Sequence, residues 1–345
     1  MPKRTFETLD GLRGLAAVLV VMFHCGPWLK SLTPPKAFLC VDLFFMLSGF
    51  VVANAYEPRF QNGMKAKDFI LIRLVRLYPL YFLGFLFGIT HYILNRSINF
   101  GWTARPFYWH VLQMFMLPSP TWREPIKSIY PLNDPSWSLM FEVIINVIYV
   151  YTWKFWSKRN IIAVISIVYL LMITNHAFTG DGGHTWDTVY SGVLRTLYAF
   201  PLGVLLYRFK DQILSLVPKI NSLLVVAALP LLLTVVIHWT WQICLLIGFP
   251  LLLVFAIRSQ PTAFLRPVID QIGKASYAIY VIHWPLIYLM TIAISLYKIT
   301  IDTRVIAVLF IVLIVPFGVL LNYIYDTPVR SFVTRGFLAP KPVSA

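Results

Sequence analysis

The sequence predicts an all-α integral membrane protein, a bundle of about ten transmembrane helices. Of its 345 residues, 59% are hydrophobic and 12% are charged, and the mean hydropathy is +0.73. A soluble domain of this size carries about twice that charged fraction. Apolar runs of about 20 residues recur along the chain, and each is long enough to cross the hydrocarbon core as a helix. We therefore expect a single membrane domain over residues 1–345.

Hydropathy places the ten predicted spans in order along the chain. They cover residues 11–28, 37–56, 77–94, 136–156, 160–176, 188–207, 221–237, 240–257, 275–296 and 305–325. The apolar stretch 106–118 is too short to cross, and it predicts a short interfacial or re-entrant helix. No small-residue cleavage site follows the first run, which favours a retained span over a cleaved signal peptide.

The distribution of positive residues predicts the orientation. With the N-terminus in the cytoplasm, 19 Lys and Arg residues fall in inside segments and 8 in outside segments. Cytoplasmic loops carry such an excess, so we expect both termini to be cytoplasmic. The formal net charge of +15 is explained by this pattern without nucleic acid. Anionic membrane lipids and a phosphate-bearing cofactor are the expected partners.

Two ionisable residues, Arg13 and His24, lie inside the first predicted span. Burying such groups in a bilayer is costly, which makes each a candidate functional residue. At 100° per residue they share one helix face, about 16 Å apart along the axis. We expect Arg13 at the cytoplasmic boundary and His24 deeper, as a group that handles protons. Cys25 points about 100° away from His24, which disfavours a cysteine–histidine nucleophile pair.

The second span begins with a carboxylate, Asp42. The outer ends of the first two spans meet in a hairpin, so we expect Asp42 to hydrogen-bond His24 and raise its basicity. A buried structural ion pair is the alternative interpretation. Gly49 and Ala53 continue the face of Asp42, and this small-residue pattern allows a neighbouring helix to approach closely.

The fourth span carries a polar stripe, with Ser138, Glu142 and Asn146 at positions i, i+4 and i+8. We expect Glu142 at a depth similar to that of His24, where it could bind a hydroxylated acceptor or act as an acid or base. A glutamate that reaches the interface is the simpler alternative.

Arg73 and Arg76 lie at i, i+3 on the predicted cytoplasmic side. Two guanidinium groups on one face suit a polyanion such as a nucleotide or coenzyme A phosphate. Ordinary positive-inside anchoring explains them equally well.

Further polar residues fall within later spans. Arg195, near mid-depth, must line a cavity or pair with an acid. Ser276, Tyr280 and His283 share one face of the ninth span, where His283 could line a polar cavity or serve in helix–helix hydrogen bonding alone. The other five histidines are expected at helix ends or in loops, where solvation explains them, and their spacing suggests no metal site. They are His91, His110, His176, His184 and His238.

Five segments carry a resemblance to a known family. In order, they read LDGLRGLAAVLVVMFH, VDLFFMLSGFVV, RLVRLYP, DPSWSLMFE and SYAIYVIHWPL. The chain resembles, over nearly its whole length, acyltransferase family 3 of membrane-bound O-acyltransferases, the type that acetylates O-antigen, exopolysaccharide, peptidoglycan or Nod factors. The resemblance implies a multi-pass protein of the bacterial inner membrane. Its implied activity transfers an acyl group, usually acetyl from acetyl-CoA, to a hydroxyl of an extracytoplasmic or lipid-linked saccharide, or of a secreted small molecule in some members.

The resemblance also implies roles for particular residues. Arg13 and His24 match an arginine and a histidine that the family separates by ten residues. Arg73 and Arg76 match a pair proposed to contact coenzyme A phosphates. The family's S-W-S-x-x-x-E element is matched by Ser136, Trp137, Ser138 and Glu142.

The chain departs from the family at Asp326-Thr327-Pro328, where members often have E-x-P, and we assign Asp326 no role. Many relatives carry a C-terminal esterase-like domain. We expect this chain to act without one or with a separate glycan-assembly partner.

The expected mechanism places acetyl-CoA on the cytoplasmic side with its phosphates at Arg73 and Arg76, while Arg13 helps to hold the donor. His24, supported by Asp42, takes the acceptor's hydroxyl proton or carries the acyl group. The acceptor enters from outside past Glu142. The residues expected to bind substrate, among them Arg195 as a possible oxyanion partner, are Ser136, Trp137, Ser138, Arg195, Ser276, Tyr280 and His283.

A proton-coupled transporter is the main rival from a different class. Ten spans with buried Arg, His, Asp and Glu suit a transporter on physical grounds. The sequence shows no internal repeat and no matched pair of broken helices, which disfavours it. A catalytically silent scaffold is a third interpretation, which the intact motifs disfavour.

Overall fold

The computed structural model describes residues 6–99, 107–125, 127–175, 182–235 and 239–337. Within these residues the secondary structure is helical, and a single isolated bridge joins Ser128 to Thr185. The predicted all-α class is therefore confirmed. The α-helices are α1 (Glu7–His24), α2 (Gly26–Leu29), α3 (Cys40–Gln61), α4 (Ala66–Asn99), α5 (Phe107–Met114), α6 (Ser136–Thr152), α7 (Lys158–Thr174), α8 (Val189–Arg208), α9 (Lys210–Leu216), α10 (Ser222–Thr234), α11 (Thr240–Ile243), α12 (Phe249–Arg258), α13 (Arg266–Leu296), α14 (Thr303–Leu321) and α15 (Thr327–Phe337).

Among the described residues, six helical stretches are long and apolar enough to cross a membrane. They are Ala37–Gln61, Ala66–Asn95, Val189–Arg208, Thr240–Arg258, Arg266–Leu296 and Thr303–Gly336. A seventh candidate combines Glu7–His24 with Gly26–Leu32 and is bent by 68° between them. Helices α6 and α7 have 17 residues each and α10 has 13. The chain is thus a multi-pass membrane protein, while the count of ten and the cytoplasmic termini stay predictions.

Several helices begin earlier or end later than hydropathy predicted. Helix α4 starts at Ala66, eleven residues before the predicted span 77–94, and α13 starts at Arg266, nine residues before 275. The added turns are rich in charged residues, which lower hydropathy but are good helix formers. The last helix continues through a π-helical turn, Asn322–Asp326, into α15. The predicted interfacial helix corresponds to the shorter α5 (Phe107–Met114), and residue 106 lies outside the described residues.

Helices α1 and α13 form the most extensive contact of the bundle and run in the same direction. Glycines at the contact permit this approach. A Cβ atom on Gly14 would lie 2.4 Å from Ile272 Cγ2, and one on Gly273 would lie 2.7 Å from Asp10 Cβ. The face of α1 that carries Arg13 and His24 is therefore held against α13.

Helices α3 and α8 make the second large contact. A Cβ atom on Gly49 would lie 2.0 Å from the carbonyl oxygen of Phe200, and one on Gly203 would lie 1.9 Å from that of Met46. Close approach of a helix at Gly49 is confirmed, and the partner is α8. This contact brings Arg195 of α8 beside Asp42 of α3.

Candidate active site

The larger set of predicted site residues lines one cavity of about 280 Å³, here called the arginine cavity. Helices α1, α3, α4, α6 and α13 surround it, together with the turn and helix over residues 322–330. Five basic and three acidic side chains give its lining an excess of positive charge, which suits a polyanionic ligand. These side chains are Arg13, Arg73, Arg76, Lys274 and Arg330, and Asp10, Glu142 and Asp326.

The two arginines predicted as an equivalent pair have different surroundings. Arg73 is 5% exposed, and its Nη2 donates to Glu142 Oε1 at 2.5 Å. Ser48 Oγ donates to the same oxygen at 2.9 Å. In the part of the chain that the structure describes, Arg76 lines the cavity with no hydrogen-bond or ion-pair partner. The free guanidinium of this pair therefore belongs to Arg76.

The contact between Arg73 and Glu142 corrects one prediction. Glu142 was expected at the depth of His24, and Arg73 at the opposite, cytoplasmic end. Because α4 begins eleven residues early and runs beside α6, Arg73 lies level with Glu142. Glu142 thus lines the arginine cavity rather than the cavity of His24.

Arg13 joins α1 to α13 at the edge of the arginine cavity. Its Nε donates to Ser276 Oγ at 3.1 Å, and its Nη2 donates to Asp10 Oδ1 at 2.8 Å and to the Gly273 carbonyl oxygen at 3.1 Å. Arg13, Arg73 and Arg76 therefore line one cavity, and their expected role in holding the donor stays a prediction.

His24 lines a second cavity, also of about 280 Å³, here called the histidine cavity. Its walls are rich in aromatic rings, namely Phe23, Phe38, Trp137, Tyr280 and Trp284. Three more polar or charged side chains share it, and they are Asp134, His184 and Arg195. A cavity with apolar walls and a few convergent polar groups is typical of small-molecule sites.

The predicted bond between Asp42 and His24 is absent, and this prediction was wrong. Asp42 is buried and accepts two hydrogen bonds from Arg195, from Nε at 2.9 Å and from Nη2 at 2.8 Å. Arg195 also donates to the carbonyl oxygens of Gly182 and Phe38. A planar guanidinium matches a carboxylate at two points, which a histidine cannot do. The prediction that Arg195 pairs with an acid or lines a cavity is confirmed on both counts.

His24 instead contacts His283 of α13. His24 Nδ1 lies 2.8 Å from His283 Nε2, and His283 is fully buried. His283 Nδ1 lies 3.1 Å from the carbonyl oxygen of Ile279, one helical turn earlier. Of the two roles predicted for His283, helix–helix hydrogen bonding is therefore the one present, because the side chain lies outside the lining of both cavities.

The two cavities share a wall, which consists of Val41 and Tyr280. Tyr280 is 5% exposed, its hydroxyl lies 2.7 Å from Ser138 Oγ, and it donates to the Pro135 carbonyl oxygen at 3.0 Å. Ser138 lines the arginine cavity and its neighbour Trp137 lines the histidine cavity, while Ser136 is buried outside both linings. The S-W-S element thus lies at the boundary between the cavities.

Sequence reasoning missed several cavity residues. His184, interpreted as a solvated loop histidine, lines the histidine cavity, and Asp134 lies with it. Asp326, which was assigned no role, lines the arginine cavity from the π-helical turn and pairs with Arg330 at 3.2 Å. The Asp326-Thr327-Pro328 motif was the sequence feature that could have pointed to this residue. His110 is buried, 4% exposed, and packs against Tyr92, so solvation does not explain it. His176 and His238 lie outside the described residues.

Fold and site together define a membrane-embedded helical bundle with a basic cavity and an aromatic, histidine-containing cavity that meet at one wall. Residues 6–323 match the family model described as the acyltransferase domain, Acyl_transf_3. The match covers nearly the entire chain, and the chain belongs to this acyltransferase family.

Two curated relatives show how far the similarity extends. The chain is 34% identical over 162 residues to "Protein 2 in picA locus" of Rhizobium radiobacter, which covers 43% of this chain and 82% of that protein. It is 25% identical over 319 residues to the O-acetyltransferase OatA of Staphylococcus aureus, which covers 82% of this chain and 51% of OatA. The chain therefore spans about half the length of OatA. No solved structure gives a significant match.

The buried pair of Asp42 and Arg195 leads to a prediction about stability. Removing one partner leaves an uncompensated buried charge, so we expect Asp42→Asn or Arg195→Gln alone to destabilise the protein by about 3–5 kcal/mol. The double variant should be less destabilised than the sum of the two. Denaturation in detergent micelles measures these differences.

The exposed pair of Asp302 and Arg304, 2.7 Å apart, provides the matched control. Asp302→Asn should leave stability nearly unchanged, because exposed ion pairs contribute little. If the double variant lost as much free energy of unfolding as the two single variants together, Asp42 and Arg195 would not be coupled. That result would contradict their assignment as an ion pair.

Proposed function

We propose that this protein is a membrane O-acyltransferase that moves acetyl from acetyl-CoA to a hydroxyl of an extracytoplasmic or lipid-linked saccharide. Membership of the acyltransferase family supports the reaction class, and the similarity to OatA supports acetyl as the group transferred. The observation that carries the proposal is the pair of cavities that share Val41 and Tyr280. Two substrates can occupy separate cavities and react where these meet. A secreted small molecule is the alternative acceptor.

In this proposal the arginine cavity binds the donor. Coenzyme A carries several phosphate charges, and Arg76 offers a guanidinium that no described residue occupies. Arg73 supports it, since it lines the same cavity and adds positive charge beside Arg76. Glu142, which also accepts a hydrogen bond from Ser48, holds Arg73 in place, and Arg13 and Ser276 complete the rim. The pantetheine arm then extends along α1 toward Val41 and Tyr280.

The histidine cavity binds the acceptor, with aromatic walls for its apolar faces and with His24 as the general base. His24 takes the proton of the acceptor hydroxyl while that oxygen bonds to the thioester carbonyl carbon. The carbon–sulfur bond then breaks, and the leaving thiolate takes the proton from His24. Transient acylation of His24 is an alternative that uses the same nitrogen.

The oxyanion that forms during this attack needs hydrogen-bond donors at the shared wall. The hydroxyls of Tyr280 and Ser138 lie there, and in this proposal each exchanges its hydrogen bond to the Pro135 carbonyl oxygen for one to the oxyanion. Arg195, which the sequence suggested as an oxyanion partner, already donates hydrogen bonds to Asp42 and to the carbonyl oxygens of Gly182 and Phe38. In this proposal Arg195 and Asp42 together shape the histidine cavity beside Trp137, whose ring lies 5.3 Å from the guanidinium.

The proposal is tested by acetyl transfer from radiolabelled acetyl-CoA in membranes at matched expression. We expect label in a saccharide fraction with the wild type and a loss of at least about 100-fold in His24→Ala, because general base catalysis contributes that much. His91→Ala is the matched control, since His91 lines neither cavity and packs against Tyr288. Equal labelling in wild type and His24→Ala would remove His24 from the mechanism. Substrate flux without any acetyl transfer would instead favour a transporter.

A second prediction concerns Arg76. Replacing Arg76 by Gln should raise KM for acetyl-CoA by about 10- to 100-fold with little change in kcat, because a hydrogen bond to a charged group contributes about 1.5–3 kcal/mol. Arg59→Gln is the control, since Arg59 is exposed and lies outside the cavity lining. Steady-state kinetics with varied acetyl-CoA gives both constants. An unchanged KM in Arg76→Gln would contradict donor binding in the arginine cavity.

A further inference from the structure

Two histidines from different helices form a hydrogen-bonded pair beside the histidine cavity. His24 of α1 and His283 of α13 approach to 2.8 Å between Nδ1 and Nε2, and their rings are nearly parallel, 5.0 Å apart. His24 lines the cavity, whereas the fully buried His283 lies outside its lining. A substrate in the cavity can therefore touch His24 while His283 acts through it.

The hydrogen-bond pattern around the pair assigns the tautomer of each ring. A carbonyl oxygen can only accept a hydrogen bond, so the contact with Ile279 places the proton of His283 on Nδ1. The two partners of His283, the Ile279 carbonyl oxygen and the ring of His24, supply no negative charge. Because a buried charge without a counter-charge is costly, the buried ring of His283 is neutral and its Nε2 carries a lone pair. Nε2 must then accept a hydrogen bond from His24, which places the proton of His24 on Nδ1. The basic nitrogen of His24 is thus Nε2.

We propose that His283 is the positioning residue that holds His24 in the Nδ1–H tautomer, so that Nε2 is the nitrogen that reacts in the histidine cavity. This inference rests on the proposed function. It replaces the role first expected of Asp42, whose carboxylate belongs to Arg195. The neighbouring rings reinforce the orientation, since Phe23 and Trp284 meet the His24 ring edge to face at 5.4 Å and 4.7 Å.

The same pair accounts for the chemistry of the protonated state. When Nε2 takes the acceptor's proton, His24 becomes an imidazolium with N–H groups on both nitrogens. Its Nδ1–H bond to His283 Nε2 is then charge-assisted and stronger than in the resting state. His283 therefore stabilises the state that forms during attack more than the state that precedes it, which is the condition for catalysis.

Two amides of different length test the proposal. The terminal group of Gln reaches the position of a histidine Nε2 and can accept the hydrogen bond from His24, whereas that of Asn reaches the position of Nδ1. We expect His283→Gln to keep kcat within about 10-fold of wild type and His283→Asn to lose about 100-fold or more. KM for acetyl-CoA should stay unchanged in both, because the donor lies in the other cavity.

The possible results separate this inference from the function on which it rests. Equal kcat values for the Gln and Asn variants, or a loss confined to KM, would overturn the role of His283 while wild-type transfer stands. Absence of transfer in the wild type would overturn the proposed function itself. Melting temperatures in detergent show whether either variant has lost its fold.

A measurement on the unaltered protein supports the kinetic test. Nitrogen-15 NMR of histidine-labelled protein in lipid, with the His24 signal identified by its loss in His24→Ala, distinguishes protonated from unprotonated ring nitrogens. We expect a protonated Nδ1 and an unprotonated Nε2 at a pH where histidine is neutral. A proton on Nε2 would overturn the proposal.

Discussion

The contact between α1 and α13 determines the positions of both candidate substrate sites. Glycines at positions 14 and 273 allow the two helices to approach closely and in the same direction. Arg13 is thereby joined to Ser276 and Gly273 at one level, and His24 is joined to His283 at another. The spacing of the two sites therefore follows from the rise of one helix, about 16 Å over eleven residues.

The resulting arrangement separates two tasks with opposite physical requirements. A polyanionic donor needs cationic groups, and the arginine cavity supplies five of them on α1, α4, α13 and α15. Among the described residues, Arg76 is the one of these five without a hydrogen-bond or ion-pair partner. Proton transfer needs a base with a fixed tautomer, and in the proposed function His24 is that base in the aromatic histidine cavity. Because Val41 and Tyr280 border both cavities, a thioester that enters from one can meet a hydroxyl in the other. The proposed function uses this common wall as the place of reaction.

Sequence periodicity was sufficient to place side chains on helix faces but not to pair the helices. Arg13 and His24 were correctly placed on one face, as were Ser276, Tyr280 and His283. That these two faces meet depends on the packing of spans far apart in sequence, so the partner of His24 could not be identified. The same limit explains the wrong partner predicted for Asp42. We expected its partner in the neighbouring span, whereas Arg195 lies 153 residues away in the chain. Hydropathy also misplaced the start of α4, because charged helical turns are not apolar, and this error separated Arg73 from Glu142. His184 lies in a connecting segment, where no periodicity exists to be read.

In the proposed function, donor and acceptor occupy different cavities that meet at Val41 and Tyr280. A cryo-electron microscopy structure with a non-reactive thioether analogue of acetyl-CoA tests it most directly. We predict coenzyme A phosphates within hydrogen-bonding distance of Arg76 and the sulfur beside Tyr280, with the histidine cavity left open for the acceptor. Phosphates bound among the residues of the histidine cavity, or a thioether that ends away from the shared wall, would contradict it.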